Sequence, residues 1–327
     1  MSKANRRGPR FTATIAAGAL ALAGTTLALA GAANAAQAGP AAQTSYRFET
    51  LDNAHDVTFN QLLGINNKGV IAGYFGSGAQ NHPNKGYLLH PPYGQHNYTS
   101  ENFPLSVQTQ VTGLNDNGVT VGFWSSMNAA SMSNNNNFGF WAQNGRAHTA
   151  DFPTGDPASP PVDQLLGVND HDVAVGFWTD GQGNNHGYEY NIRTHRFSTV
   201  SHQGDSLQAT AINNRGDVAG VYSPTAGATD GFIKIGGTFI QLSVPGSSST
   251  MALGVNDHDE VVGVYSVGSG SSAVMHGFTW KPGQGFTTVD DPQGMGTTTI
   301  NGVNDAGDLV GFYVDSTGNT DGFLATR

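Results

Sequence analysis

The sequence predicts an all-β protein: a six-bladed β-propeller of four-stranded antiparallel blades, closed by its N-terminal strand. Three observations support this prediction. The 327 residues include 45 glycines and only 12% charged residues, about twice the usual glycine share and half the usual charge, which favours a turn-rich β fold over a coiled coil or helical bundle. One sequence pattern recurs six times. The connections between the predicted strands alternate between tight turns and long loops.

Residues 1–38 predict a secretory signal peptide. Four basic residues precede an apolar stretch from about Thr14 to Ala30, and the small residues after it place cleavage after Ala35 or Ala38. A membrane anchor is the alternative, although the stretch is short and alanine-rich for a span of about 20 residues. We therefore expect a secreted, extracellular or periplasmic protein, with residues 39–327 forming the propeller.

The mature chain is acidic. The signal segment holds four of the 14 basic residues and none of the 24 acidic ones, and the chain has no cysteine. An acidic surface disfavours nucleic acid and anionic lipid, and without disulfides the stability must come from packing in a large core. We expect a monomer with no nucleic-acid partner, no membrane insertion after signal cleavage and no cofactor.

The repeat begins after a first predicted strand, Tyr46 to Leu51. Each copy has an asparagine followed seven residues later by a glycine, and the asparagines are 43 to 54 residues apart, the spacing of four-stranded propeller blades. The asparagines are Asn66, Asn115, Asn169, Asn213, Asn256 and Asn304, and the glycines are Gly73, Gly122, Gly176, Gly220, Gly263 and Gly311. The asparagine predicts a reverse turn, and the glycine is expected to let neighbouring sheets approach closely.

Connection lengths predict which strands share a blade. Tight turns such as Asn144-Gly145 join the last strand of one repeat to the first strand of the next, whereas the segment 151–162 is a long link that can cross between sheets. Each blade should therefore begin just before the asparagine. The sixth blade then lacks an outer strand, and Tyr46 to Leu51 is predicted to supply it by pairing near Phe323.

The repeats resemble the HAF family of extracellular repeats, in which a Gly-Ile-Asn-Asp-x-Gly-x-Val-Gly-Phe-Tyr core is followed by His-Gly-Phe. The resemblance covers about Tyr46 to Arg327. The histidine of the pattern is present as His186 and His276, whereas other residues replace it in four copies, and Ala211 replaces the usual glycine in the fourth. The resemblance implies an exported, propeller-like domain and no established reaction.

The long connections are predicted to share one face of the disc, called here the loop face, and the short turns the opposite turn face. The loop face should carry the segments 76–84, 125–137, 179–185 and 266–275. Because rigid scaffolds usually place recognition on such loops, we expect the binding site there.

Two sets of residues are candidate ligand contacts on this face. One is an aromatic residue at the end of the strand that carries the glycine: Phe75, Trp124, Trp178, Tyr222, Tyr265 and Tyr313. These rings can stack on sugars or partner side chains, or fill space between blades. The other lies five residues before the asparagine: Gln61, Gln110, Gln164 and Gln208, with Met251 and Thr299 in the remaining copies. Amides hydrogen-bond hydroxyl groups, or satisfy one another, but are poor acids and bases.

Catalytic signals are weak in this sequence. The acidic turns Asp170-His171-Asp172 and Asp257-His258-Asp259 lack the spacing of a calcium loop, so we interpret them as plain turns. We find no nucleophile elbow, zinc-protease motif or phosphate loop. The leading hypothesis is a secreted, non-catalytic module that binds a glycan or a surface protein. The alternative is a propeller enzyme, a polysaccharide hydrolase or lyase or a lactonase, with calcium in the channel. A structural envelope component is a third possibility.

Overall fold

The structure, a computed structural model, describes residues 46–79, 81–126, 136–224 and 229–327. The predicted signal peptide lies outside the described residues. The described chain forms 24 strands in six four-stranded antiparallel sheets. The first strand of each sheet contacts the first strands of both neighbouring sheets. The sheets therefore surround a common axis as propeller blades, which confirms the predicted fold class.

Within the first five blades the strands follow one another in chain order from the axis outward. Blade 1 contains β2 (Asn60–Ile65), β3 (Ile71–Phe75), β4 (Lys85–Leu89) and β5 (Tyr98–Ser100). Blade 2 contains β6 (Gln108–Leu114), β7 (Thr120–Ser125), β8 (Phe138–Gln143) and β9 (Arg146–Thr149). Blade 3 contains β10 (Asp163–Val168), β11 (Val173–Thr179), β12 (Asn185–Asn191) and β13 (Arg196–Val200). Blade 4 contains β14 (Ser206–Ile212), β15 (Val218–Ser223), β16 (Asp230–Ile235) and β17 (Thr238–Leu242). Blade 5 contains β18 (Ser249–Val255), β19 (Val261–Val267), β20 (Val274–Lys281) and β21 (Gly285–Thr288).

Blade 6 takes its outer strand from the other end of the chain. It contains β22 (Thr299–Val303), β23 (Leu309–Val314), β24 (Thr320–Thr326) and β1 (Arg47–Thr50). The strands β1 and β24 are antiparallel, with Arg47 opposite Thr326 and Thr50 opposite Phe323. This register confirms the predicted closure, and β24 is not left as an exposed sheet edge.

One connection differs from the tight turn that the sequence predicts. Residues 90–97 join β4 to β5 and include a short 3-10 helix, Gln95–Asn97. The Tyr93 hydroxyl donates to the Gly69 carbonyl at 2.9 Å, and the Gln95 amide donates to the Asp52 carbonyl at 2.6 Å. The expectation of a tight turn is therefore wrong for blade 1, where this longer link binds to neighbouring segments.

The repeat asparagines form a ring around the axis. In each of the first five blades the asparagine Nδ2 donates to the backbone carbonyl of the asparagine in the next blade, at 2.9 to 3.1 Å. The Oδ1 of the same side chain accepts backbone N–H groups of its own turn, as Asn66 does from Lys68 and Val70. One buried side chain thus shapes a turn and also joins two blades.

A second ring lies one residue further along each turn. There a backbone N–H donates to the side-chain Oδ1 of the equivalent residue in the next blade, at 2.7 to 3.0 Å, and the six bonds close the circle. The residues are Asn67, Asp116, Asp170, Asn214, Asp257 and Asp305. The side chain at this position therefore links neighbouring blades.

The repeat glycines are required inside a blade rather than between blades. A Cβ on Gly122 would lie 2.0 Å from the Gln110 carbonyl oxygen, at the β-bulge that each innermost strand forms. Likewise, the atom closest to a Cβ added at Gly263 would be the Met251 carbonyl oxygen of the same blade. The expectation that these glycines let neighbouring sheets approach is therefore wrong, because the close contact is within the blade.

Another set of small residues allows the blades to meet at the axis. A Cβ on Gly64 would lie 3.2 Å from the Cα of Gly113, and one on Gly113 would lie 3.1 Å from the Cα of Gly167. The next residue in this ring is Ala211, which lies 3.0 Å from the Cβ position of Gly167. Adjacent innermost strands thus touch backbone to backbone, and only a hydrogen or a methyl group fits between them.

We predict that replacing Asn169 with alanine destabilises the fold by about 2 to 4 kcal/mol, because buried backbone groups lose their partners. The Asn169 side chain accepts from His171 and Val173 and donates to the Asn213 carbonyl, at 3.0 to 3.1 Å. Urea unfolding of both proteins measures the difference. The exposed Asn117, which makes one bond to the Asp170 carbonyl, is the control, and Asn117→Ala should cost less than about 1 kcal/mol. Equal losses would contradict a special role for the ring.

Candidate binding surface

Strand direction assigns each connection to a face. Because the four strands of a blade are antiparallel, the links between second and third strands and the links between blades lie at the same end, the loop face. The predicted segments 76–84, 125–137, 179–185 and 266–275 fall there. Residue 80 of the first segment and residues 127–135 of the second lie outside the described residues.

Charge is divided unequally between the two faces. Thirteen carboxylates lie in loops or at strand ends on the loop face: Asp52, Asp56, Glu101, Asp151, Asp156, Asp163, Asp180, Asp205, Asp230, Asp290, Asp291, Asp315 and Asp321. Lys85 is the one lysine or arginine on that side among the described residues. The other nine lie on the turn side: Arg47, Lys68, Arg146, Arg193, Arg196, Arg215, Lys234, Lys281 and Arg327. The negative net charge is therefore concentrated on the loop face.

Ion pairs neutralise much of the turn face. Arg193 binds Asp172 at 2.6 Å, and Arg215 binds both Asp217 and Asp259. Lys281 and Arg327 both bind the buried carboxylate of Glu260, at 3.2 and 2.5 Å. The acidic turns thus serve as partners within the fold, through these pairs and through the second ring at the axis.

The loop face also carries the exposed apolar side chains. In the described part of the chain, five large apolar residues are exposed: Val57, Leu105, Val267, Val274 and Met295. All five lie in loops or at strand ends on the loop face. Single exposed apolar residues are common on protein surfaces, but their confinement to one face is consistent with a contact surface.

Four histidines on this face are each held by an aspartate. The pairs are His82 with Asp56 (2.7 Å), His186 with Asp180 (2.9 Å), His202 with Asp205 (3.1 Å) and His276 with Asp290 (2.7 Å). Although partial burial opposes it, hydrogen bonds led by His186 lower the pKa of Asp180 to about 2. An ionised partner fixes the orientation of the imidazole. The His82 side chain remains 51% exposed, so the ring can offer its other nitrogen to a ligand.

The aromatic candidates lie beneath these loops. Trp178 is the cross-strand neighbour of His186, with ring centroids 4.5 Å apart, and Tyr265 and His276 repeat this arrangement at 5.2 Å. In these two copies the histidine of the repeat therefore packs on the aromatic residue of the neighbouring strand.

The other rings of this set are also engaged in packing. Trp124 stacks on Phe103 with centroids 4.3 Å apart, and Phe75 stacks on His55 at 5.7 Å. Tyr222 and Tyr313 are buried, the latter to 1% exposure. A ligand role for the aromatic set stays a prediction, and the partly exposed members are Phe75, Trp124, Trp178 and Tyr265.

The glutamine candidates form a buried layer near the axis. Gln61, Gln110, Gln164 and Gln208 occupy one register of the innermost strands and are at most 9% exposed. Gln61 accepts from the Tyr74 hydroxyl at 2.8 Å, and Gln110 donates to Asn84 at 3.0 Å. Both polar side-chain atoms of Gln208 have no partner in the protein. A ligand role for this layer also stays a prediction.

Two cavities lie on the axis. One of about 100 Å³ opens on the turn face and is lined by the asparagine ring and the residues beside it. The other, of about 80 Å³, lies deeper and is lined by the third, second and first residues before each asparagine. Thr112, Thr210 and Asn301 in that layer donate to carbonyls of the next blade at 2.8 to 2.9 Å. The channel wall is thus part of the contact between blades.

Two further properties concern only the described residues. No group of three or more His, Asp or Glu side chains is placed to hold a metal ion. No helix has the length and hydropathy needed to cross a membrane.

Comparison with known proteins supports the fold alone. No protein-family model and no curated protein matches this chain by sequence, so the resemblance to HAF repeats stays a prediction. Among solved structures, an arginine mutant of AofleA from Arthrobotrys oligospora matches with a TM-score of 0.51 and 11% identity, over 87% of each chain. TolB from Acinetobacter baumannii matches with a TM-score of 0.49 and 10% identity, over 79% of this chain and 64% of that chain. An Aleuria aurantia lectin bound to α-methyl-L-fucoside matches with a TM-score of 0.48 and 11% identity, over 81% of this chain and 90% of that chain.

One loop-face carboxyl should make stability depend on pH. Burial, assisted by the charge of Asp151, raises the pKa of Asp163 to about 7, although hydrogen bonds from Tyr188 (2.5 Å) and the Phe152 N–H (2.7 Å) oppose this. A raised carboxyl pKa means that the folded state holds the proton more tightly than the unfolded state. We therefore expect this stabilising contribution at pH 4 and its loss as the pH rises to about 7.

The test compares Asp163→Asn with the unmodified protein by thermal unfolding between pH 4.5 and 8. Asn60 occupies this position in blade 1 and accepts the Asn53 N–H at 2.9 Å, so asparagine should be tolerated. The variant should lose less stability across the range, by an amount on the order of 2 to 4 kcal/mol. Asp315→Asn is the control. Although burial opposes it, hydrogen bonds from Thr317 and Asn319 lower the pKa of Asp315. This carboxyl therefore does not titrate between pH 4.5 and 8, and its variant should keep the pH dependence of the unmodified protein. An unchanged slope in Asp163→Asn would refute the assignment.

Proposed function

We propose that this chain is an exported, non-catalytic binding module that recognises a glycan or a surface protein through the loop face. The observation that carries the proposal is the contrast between the faces. Hydrogen bonds and ion pairs within the fold engage the turns, whereas the loop face combines exposed apolar residues, carboxylates and four oriented histidines. Polar groups and rings on a rigid β scaffold suit recognition.

The alternative function, a propeller enzyme, draws its support from one pair. His82 is oriented by Asp56, which also accepts from Thr58 at 2.6 Å, and such a histidine suits general-base chemistry. The four histidine–aspartate pairs, however, lie on separate loops, so each would act alone. We therefore favour binding.

A panel of immobilised neutral and acidic glycans tests the proposal. We expect neutral glycans to bind better than uronic or sulfated ones, because the loop-face carboxylates repel anions. His186→Ala and Trp178→Phe should weaken binding about fivefold or more, whereas His148→Ala, on the outer strand β9 beside Trp141, should leave it unchanged. Equal binding by all three variants would remove blade 3 from the site. Binding of no glycan would leave only the surface-protein form of the proposal.

A further inference from the structure

A turn that occurs twice in the molecule carries different residues at the same position. Residues Phe103 to Ser106 form a turn closed by the Ser106 N–H and the Phe103 carbonyl at 3.2 Å, and residues 244–247 form one closed in the same way at 3.1 Å. Proline is second in both turns. The third residue has a positive φ in both, 63° at Leu105 and 82° at Gly246.

The surroundings of the two turns also agree. The Thr109 hydroxyl accepts the Phe103 N–H at 3.1 Å, and the Thr250 hydroxyl accepts the corresponding Val244 N–H at 2.9 Å. The two turns are therefore equivalent sites in which the fold requires the same backbone conformation. Glycine adopts this conformation without steric cost, whereas a leucine does so rarely.

Leu105 gains no packing in return for this strained conformation. Its side chain is fully exposed, the largest exposure among the large apolar residues that the structure describes. Folding alone would favour the glycine of the equivalent turn. We interpret the leucine as a residue kept for contact with something outside the chain.

The other exposed apolar residues extend this position into an arc. Val267 and Val274 face each other across β19 and β20, and a Cβ on Gly296, next to Met295, would lie 3.0 Å from the Val274 side chain. Val57 lies on the link from blade 6 to blade 1, and Leu105 lies on the link from blade 1 to blade 2. We call Val57, Leu105, Val267, Val274 and Met295 the apolar arc. It spans consecutive connections from blade 5 to the start of blade 2.

Charge decides what kind of partner fits the arc. Seven carboxylates lie on the same connections or at the adjoining strand ends: Asp52, Asp56, Glu101, Asp290, Asp291, Asp315 and Asp321, of which Asp56, Asp291 and Asp321 are buried. Lys85, the one lysine or arginine on the loop face among the described residues, donates to the Val107 carbonyl at 3.2 Å. A surface that is apolar at its loop tips and acidic around them repels anionic lipid and is complementary to basic, apolar protein surfaces.

We propose that the apolar arc docks a protein segment that combines Lys or Arg with apolar side chains, and that Leu105, at one end of the arc, is its main anchor. This inference rests on the proposed function, because it names the partner of the same face. Exposed apolar anchors surrounded by charge are typical of protein contacts in which a few residues dominate the affinity.

Three synthetic peptides of equal length test the inference: alternating Lys and Leu, alternating Lys and Ser, and alternating Glu and Leu. Fluorescence anisotropy at physiological salt measures binding to the full chain. We expect the Lys-Leu peptide to bind at least about tenfold more tightly than the other two, because it alone matches both the charge and the apolar tips. Equal binding of the Lys-Ser or the Glu-Leu peptide would overturn the proposal.

Variants then locate the contact. Leu105→Gly should weaken Lys-Leu binding about tenfold while leaving the unfolding temperature unchanged or higher, since it restores the residue of the equivalent turn. Met295→Ser and Asp315→Asn should also weaken binding, whereas Asp172→Asn on the turn face should not. Unchanged binding by Leu105→Gly, or a lower unfolding temperature in that variant, would contradict the role of Leu105.

Two further outcomes separate this inference from the proposed function. Binding to neutral phosphatidylcholine vesicles that depends on Leu105 would assign the arc to membranes and overturn the inference. Glycan binding that depends on His186, without Lys-Leu peptide binding, would refute the arc and retain the proposed function. Failure of all probes would count against both.

Discussion

The architecture depends on backbone contact between the innermost strands. At the narrowest point neighbouring strands are separated by glycines and one alanine, with Cα atoms 3.0 to 3.2 Å from the positions that added Cβ atoms would occupy at Gly64, Gly113 and Gly167. Side chains cannot fill so small a space, so specificity at the axis comes from hydrogen bonds instead. The two rings of Asn and Asp side chains provide these bonds just beyond the glycines. Small residues and amide bridges together hold six blades at one radius.

Much of the fold could be predicted because the repeat marks structural positions directly. Asn66 and its equivalents stand at turns, and the contrast between Asn144-Gly145 and segment 151–162 is enough to divide the strands among blades. Prediction failed where a contact partner is remote in sequence. Nothing local to Gly122 indicates that its neighbour is the Gln110 carbonyl rather than another sheet, and residues 90–97 depend on contacts with Gly69 and Asp52.

The sequence could predict which face of the propeller carries the candidate site, but not which side chains meet there. Loop length identified that face, but the oriented histidines are defined by distances between separate loops, such as Asp56 and His82. One sequence signal was available for part of this arrangement. Asp52, Asp151 and Asp290 each follow an outer strand, and each accepts the N–H of a glycine that precedes an aromatic residue. A recurring aspartate at that point would have indicated the partner of His276.

The two faces differ in how much freedom they leave to the sequence. On the turn side the polar side chains of the rings, apart from Asn304, bond to the neighbouring blade, so a substitution in one blade affects the next. The loops on the other side are anchored mainly at their bases, as Thr109 and Thr250 anchor theirs, and their tips vary between leucine and glycine without changing the backbone. The rigid, hydrogen-bonded part of the propeller therefore lies at the turn end of the axis, and the loop tips that tolerate different residues lie at the opposite end.

Closure of blade 6 has a consequence for how the protein is made. Three of its strands, β22 to β24, lie near one end of the described chain and the fourth, β1, lies near the other, where the Arg327 guanidinium donates to the Tyr46 hydroxyl at 3.0 Å. During synthesis β1 has no pairing partner until β24 has been made. Blade 6 is therefore completed only once β24 is available, and until then β1 is an unpaired strand, which favours aggregation.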